Sequence, residues 1–330
     1  MSADAAPIYL RTYLAPLARF LERAEVTDIF INAPGEVWVE TVLGGIERHA
    51  APELDETTLW RLARQIASLS HQGVSREHPL LSASLPDGER VQVIAPPATR
   101  RHIALAVRKH VVADLTLEDY LQADAFAGVR TDGGSEQAAV DDALRRLLSA
   151  GDVAGFLRGA VRARKNIVLS GGTSTGKTTF LNALLKEIPR DERLIVIEDA
   201  AEVQLDHPNA LGLIAVRGET GESQVDADDL VRASLRMRPD RIILGELRGR
   251  EASSFLRAVN TGHPGSITTL HADSPRGAVD QIALLVLQGG LNLGRTEIGD
   301  YVRSVVDVFV QLSRRDGRRV VSEILFRPPE

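Results

Sequence analysis

The stretch Gly171-Gly172-Thr173-Ser174-Thr175-Gly176-Lys177-Thr178 constrains this 330-residue chain more than any other. It matches the pattern G-x-x-x-x-G-K-[ST]. An apolar run, Asn166-Ile167-Val168-Leu169-Ser170, precedes it, and a helical pattern, Thr179-Phe180-Leu181-Asn182-Ala183-Leu184-Leu185, follows. Strand, glycine-rich turn and helix in that order aim consecutive backbone N–H groups at one anion. Gly171 and Gly176 permit the backbone angles that the turn needs, and the helix start adds unpaired N–H groups and the positive end of its dipole. Lys177 supplies a point charge for β- and γ-phosphates, and the Thr178 hydroxyl is a hard oxygen ligand suited to Mg²⁺. The expected ligand is a nucleoside triphosphate with magnesium, held by residues 171–178 and the adjoining Thr179.

The rest of the C-terminal half reads as alternating apolar strands and helices. Strands are expected at 193–197, 241–245 and 265–270, and helices at 226–237, 250–259 and 275–287. Asp226 is placed to cap the first of those helices and Pro239 lies just beyond its end. Continuous apolar strands alternating with helices imply a parallel sheet covered on both faces. At the end, 305–312 and 319–325 flank Asp316-Gly317, a hairpin signal.

Upstream, residues from about 7 to 112 read as a mixed α/β domain. Leu10, Leu14, Leu17, Phe20 and Leu21 recur at helical spacing; 57–69 reads as a second helix and 28–32, 37–40, 90–94 and 103–109 as strands. Residues 123–139, with Gly128 and Asp132-Gly133-Gly134-Ser135, lack apolar periodicity and read as a linker. Short helices at 144–148 and 153–161 lead into the strand of the phosphate loop. The expected division is an N-terminal α/β domain over 1–112, a linker region over 113–150 and a P-loop ATPase domain over 151–330.

Composition excludes several classes. With no cysteine, disulfides and thiolate metal sites are ruled out. A net charge of −6 argues against a nucleic-acid-binding polycation. The N-terminus lacks the basic start and apolar core of a signal peptide, and the apolar run at 282–287 is too short to cross a bilayer, so a cytoplasmic location is expected.

A phosphate loop alone does not hydrolyse ATP; a group must orient or deprotonate water, and charge must be offset at the γ-phosphate. In a parallel sheet such groups stand at the carboxyl ends of strands beside the loop. Glu198-Asp199 ends one expected strand and Glu246 another. Either carboxylate is suited to serve the metal or accept a proton from the attacking water. Glu246 follows Gly245 rather than the aspartate of the usual metal motif. His271 follows a strand in the segment Thr261-Gly262-His263-Pro264-Gly265-Ser266-Ile267-Thr268-Thr269-Leu270-His271-Ala272, within reach of a γ-phosphate. Zinc on His263 and His271 is a weak reading, because no further ligands lie at metal spacing. Arginines are dense between Arg232 and Arg250, and some are candidates to act across a subunit boundary.

Four ordered segments carry a family resemblance. SGGTSTGKTTFLNALL, LIVIEDAAEVQL, LRMRPDRIILGELRGREA and AVNTGHPGSITTLHAD resemble the Walker A motif, Asp box, atypical Walker B motif and His box of the hexameric secretion-traffic ATPases. TDIFINAPGEVWVE and LPDGERVQVIAPP resemble the N-terminal domain of the type IV secretion and conjugation branch, the VirB/Trb-type ATPases. The resemblance implies an α/β fold in which a smaller mixed N-terminal domain precedes a RecA-like P-loop NTPase domain. It implies a homohexamer with nucleotide held between the two domains. Glu246 becomes the favoured catalytic carboxylate, with Gly245 part of the family's own Walker B motif, and Glu198 stands beside Mg²⁺ and water. His271 faces the γ-phosphate, and Arg90 and Arg108 match positions from which the N-terminal domain sends arginines to the nucleotide.

The implied activity is ATP hydrolysis energising pilus assembly or substrate transfer. The implied partners are inner-membrane channel components and a coupling ATPase, with peripheral membrane association and no sequence-specific nucleic-acid binding. A pilus-retraction ATPase and a nucleotide-gated scaffold with little turnover are the alternatives.

Overall fold

The computed structural model describes residues 5–42, 45–109, 116–122, 124, 126, 129, 136–216, 221–290 and 293–327. Most of the stretch 123–135 and residues 113–115, all in the expected linker, lie outside the described residues, as do 1–4 of the N-terminus read for a signal peptide.

The N-terminal half begins with helix α1 (Ala5–Leu21), followed by β1 (Val26–Ile31), β2 (Gly35–Thr41), β3 (Ile46–Ala51), α2 (Glu56–Leu69), β4 (Leu80–Ser84), β5 (Arg90–Ile94) and β6 (Ala104–Arg108). The strands form one antiparallel sheet in the order β3-β2-β1-β6-β5-β4. Alternation along β1 divides its side chains between two cores. Ile29 and Ile31 pack with Leu10, Leu17, Leu59 and Leu62 of the two helices. Phe30, between them, faces the other way and joins the core of the C-terminal half. Asp55 starts α2 by accepting the Thr58 N–H at 2.7 Å, a cap worth about 1 kcal/mol.

The C-terminal half contains α3 (Leu117–Gln122), α4 (Glu136–Ser149), α5 (Val153–Arg162), β7 (Ile167–Gly171), α6 (Lys177–Leu185), β8 (Leu194–Glu198), β9 (Ala210–Ile214), α7 (Ala227–Ser234), β10 (Arg241–Leu244), α8 (Glu251–Asn260), β11 (Ile267–Leu270), α9 (Pro275–Gln288), α10 (Arg295–Val305), β12 (Val308–Arg315) and β13 (Arg318–Phe326). Its sheet runs β13-β12-β7-β11-β10-β8-β9, parallel except for the β12–β13 hairpin. Strands β7, β8 and β10 are buried along their full length, as their continuous apolar sequences require. Helix α7 opens with Asp226 and Asp229 in a reciprocal capping box and ends at Ser234, short of the expected 237. Helix α4 lies inside the expected linker, yet its Leu144 is buried in a core shared with α5, β7 and β8.

The two halves are docked. Residues Ala98 and Arg100 form backbone hydrogen bonds with Ile214 (2.9 Å) and Gly212 (3.1 Å), covering the free edge of β9. Arg193, fully buried, is stacked 4.1 Å from the Phe30 ring centroid and donates to Asn32 Oδ1 (2.9 Å), Asn209 Oδ1 (2.5 Å) and the Met237 carbonyl (2.9 Å). Among the described residues, no helix is long and apolar enough to cross a membrane.

Candidate nucleotide site

The phosphate loop leaves the carboxyl end of β7 and enters α6 as the sequence order requires. Gly171 has no room for a side chain: a Cβ there would meet Thr175 Oγ1 at 2.5 Å and the Leu312 carbonyl oxygen at 2.7 Å. Gly176 caps α6 in the left-handed region, φ 91°, where a side chain is strained. Thr175 pins the turn by donating to the Gly172 carbonyl at 2.9 Å. Gly172, Thr173, Ser174 and Thr179 are exposed, so the loop is open to a ligand on that side.

The Lys177 side chain folds back into the loop. Its ammonium donates to the carbonyls of Gly171 (2.9 Å) and Gly172 (3.2 Å) and lies 3.4 Å from Nδ1 of His271. Burial pushes the Lys177 pKa down, with Glu246 opposing that shift. Nε2 of His271 lies 3.1 Å from Glu246 Oε1, without the alignment of a hydrogen bond. Glu246 Oε2 accepts from Arg248 at 2.5 Å, and Arg248 in turn lies 3.7 Å from Asp199. Burial acts to raise the Glu246 pKa, but Arg248, His271 and Lys177 outweigh it and hold the carboxyl below its usual range. Thr269 Oγ1 donates to the Gly245 carbonyl at 2.7 Å, and the Gly245 N–H reaches Ile197, which lock the three strand ends side by side. Lys177, His271 and Glu246 therefore converge at the carboxyl edge of β7, β11 and β10.

Glu198 is arranged differently from the expectation. Its Oε1 accepts the N–H groups of Glu202 (3.1 Å) and Val203 (2.8 Å), and its Oε2 is paired with Arg100 of the N-terminal half. The carboxylate that meets Thr178 is Glu202, whose Oε2 accepts the hydroxyl at 3.2 Å. Glu202 lies within the segment LIVIEDAAEVQL but at no position that spacing marks, and Arg100 lies 98 residues from its partner, so neither stands out in the sequence. As donors for a hard cation, the Thr178 hydroxyl and the Glu202 carboxylate are both oxygen and adjacent, which fits Mg²⁺. Among the described residues no three His, Asp or Glu side chains converge on a metal position, so phosphate oxygens and water must complete such a shell.

Arg90 and Arg108 are not brought to the phosphate loop of their own chain. They face each other across β5 and β6 and, with Arg236 and Arg238, line a cavity of about 620 Å³. Arg238 leads into β10 at its amino end, the edge of the sheet opposite to the loop. Asp28, paired with Arg108 in the β1–β6 register, is buried, and burial raises its pKa against the pull of Arg108. Arg238 is held by Glu40 at 2.6 Å. Among the described residues, Arg90 and Arg108 make no side-chain hydrogen bond or ion pair, and both are exposed. Like charges directly opposite in a sheet are unfavourable, so the pair is suited to an anion brought from outside this chain. His263 donates to or accepts from nothing near the site; its Nδ1 is 3.0 Å from the Ala258 carbonyl.

Known secretion-system proteins are similar to this chain over most of its length. The family model for the Type II/IV secretion system protein matches residues 136–315. The type IV secretion system protein VirB11 of Bartonella henselae is 37% identical over 330 residues, covering 96% of this chain and 92% of that protein. The PtlH homologue of Bordetella bronchiseptica, a type IV secretion system protein, is 38% identical over 325 residues, covering 96% and 94%. The crystal structure of the VirB11 ATPase from the Brucella suis type IV secretion system in complex with sulphate superposes with a TM-score of 0.91. It is 38% identical, covering 98% of this chain and 96% of that one. That superposition spans both halves, so the α/β fold is a RecA-like P-loop domain preceded by a smaller mixed α/β domain.

Proposed function

The chain belongs to the Type II/IV secretion system protein family and is an ATPase, and from that membership we propose that it is the hexameric motor of a type IV secretion system. The observation that carries the reading is the convergence of Lys177, His271 and Glu246 beside the phosphate loop. The loop amides and α6 take the phosphates of ATP, with Lys177 turning from the Gly171 and Gly172 carbonyls to the β- and γ-phosphates. Glu246, kept ionised by Arg248, orients the attacking water and accepts its proton. His271 faces the γ-phosphate from the end of β11, and Arg248 adds charge next to it. Mg²⁺, held by Thr178 and Glu202 together with phosphate oxygens, would supply further charge stabilisation at the phosphates. Glu198, tied to Arg100, links the acid-bearing strand end to the N-terminal half rather than serving the metal in this arrangement.

The position of Arg90 and Arg108 supports a ring. Two exposed arginines on the edge opposite to their own loop can meet a nucleotide only if a second copy brings it. A homohexamer, with each N-terminal domain contributing charge to a neighbour's ATP, satisfies that geometry. The domain limits 1–112, 113–150 and 151–330 belong to the same reading. So do inner-membrane channel components and a coupling ATPase as partners, at the cytoplasmic face of the inner membrane. Secretion of protein, transfer of DNA and pilus assembly are each compatible with the site. The test is transfer through the host secretion system by cells carrying Lys177→Ala or Glu246→Gln in place of the wild-type protein. Loss of transfer in both is expected of a motor. Normal transfer with Glu246→Gln and none with Lys177→Ala would make the protein a nucleotide-gated scaffold instead.

A further inference from the structure

The β12–β13 hairpin carries four exposed arginines at its tip, Arg314, Arg315, Arg318 and Arg319, around the turn at Asp316-Gly317. They oppose one another in register, Arg314 with Arg319 and Arg315 with Arg318, which sets like charges face to face. One of the four reaches the phosphate loop. A Cβ built on Gly176 would lie 2.8 Å from Arg319 Cδ, 3.5 Å from its Nε and 3.6 Å from its Nη1. The guanidinium therefore lies against the residue that caps α6, and among the described residues it makes no hydrogen bond or ion pair.

The sheet order says which part of a nucleotide this arginine meets. Strand β7 and its loop lie between β12 and β11. Lys177, His271 and Glu246 stand on the β11–β10 side, so the γ-phosphate end of the ligand points there. Arg319 approaches from the β12–β13 side, where the α-phosphate and the nucleoside must lie. We propose that Arg319 is a nucleotide-binding residue, pairing through its guanidinium with the α-phosphate end of ATP and ADP from the edge hairpin. An arginine fork matches phosphate oxygens in geometry as well as charge. Arg319 lies beyond residue 315, where the match to the family model ends. The inference rests on the loop being the nucleotide site and adds a ligand outside the recognised motifs.

The test is displacement of a fluorescent ATP analogue by ATP or ADP from wild-type protein and from Arg319→Met, Arg319→Lys, Arg318→Met and Lys177→Ala. Methionine keeps an apolar stem over Gly176 and removes only the charge, so the loop's packing is preserved. Arg319→Met should weaken ATP and ADP by the same factor, about five- to tenfold, as expected for one charge-assisted contact. In turnover it should raise KM with kcat unchanged. Arg319→Lys should recover part of the loss. Arg318, one residue away and so directed to the other face of the strand, should bind as wild type when changed to methionine. Wild-type affinity for both nucleotides in Arg319→Met, or a loss confined to ATP, overturns the proposal. If Lys177→Ala weakens ATP while Arg319→Met does not, the loop remains the nucleotide site and Arg319 is excluded; wild-type affinity in Lys177→Ala removes both.

Discussion

The Lys177 ammonium lies 3.4 Å from Nδ1 of His271, which fixes how that ring can work. An ammonium has no lone pair, so a hydrogen bond to it requires a neutral ring that accepts at Nδ1 and carries its proton on Nε2, the nitrogen facing Glu246. His271 thus connects the loop's cation to the carboxylate at the end of β10. Replacing it with alanine should leave ATP affinity within about twofold and lower kcat by about tenfold or more, because its contact with the γ-phosphate matters most as charge develops. Steady-state ATPase kinetics beside equilibrium nucleotide binding check this. A loss of affinity with kcat unchanged would assign His271 to binding alone.

Glu246 should impose no acid limit on activity near neutral pH. Burial favours its neutral form, but Arg248 first, then His271 and Lys177, hold its pKa below the usual carboxylate range. The folded pKa is lower than the unfolded one, so the stabilisation is complete above the unfolded value. It is lost as pH falls through the folded value. Removing the chief compensating group in Arg248→Gln leaves burial in control, and the acid limb of the kcat–pH profile should move up. An unmoved limb would mean that another group sets it.

Arg193 is the buried tie between the halves. Burial pushes its guanidinium pKa down to about 9, so it remains a cation at neutral pH. Arg193→Ala strips Asn32, Asn209 and the Met237 carbonyl of a donor and opens a gap beside Phe30. The cost should be about 2–5 kcal/mol, as for truncating a large buried side chain and leaving buried acceptors without a donor. Urea unfolding monitored on both halves measures it. A change under about 1 kcal/mol would show that the docking does not depend on this residue.

If Arg90 and Arg108 serve a neighbour's nucleotide, two inactive variants should complement. Arg90→Ala/Arg108→Ala protein and Lys177→Ala protein, each poorly active alone, should regain turnover when mixed and allowed to exchange subunits. The mixture creates interfaces with intact arginines on one copy and an intact loop on the other. Action within one chain predicts no recovery at any ratio.

Most of the C-terminal fold was legible because its signals are local. The apolar runs of β7, β8 and β10 and the capping residue Asp226 each report on a few neighbouring positions. The elements without such signals were not expected. Strand β3, with exposed His49 neighbours, is half solvent-facing; β9 is five residues behind a His207-Pro208 turn; and α10 follows Gly294 with a polar sequence. In the site, residues inside the motifs were visible, and Lys177, His271 and Glu246 do meet. Glu202 was hidden although it lies within the Asp-box segment, because it sits in an irregular stretch four residues past Glu198 and gains its partner only when α6 presents Thr178. Arg100 and Arg319 were hidden for a related reason: docking onto β9 and a hairpin register, not spacing along the chain, bring them to the loop region.

The central claim, that this loop and Glu246 form a hydrolytic site, is tested most directly by single-turnover ATP hydrolysis in Glu246→Gln beside the wild type. Glutamine keeps the shape of the side chain and one acceptor oxygen for Arg248, and removes its charge and basicity. The account predicts nucleotide binding close to wild type and hydrolysis slowed at least about a hundredfold, the range for loss of a general base. Undiminished hydrolysis in Glu246→Gln would contradict it.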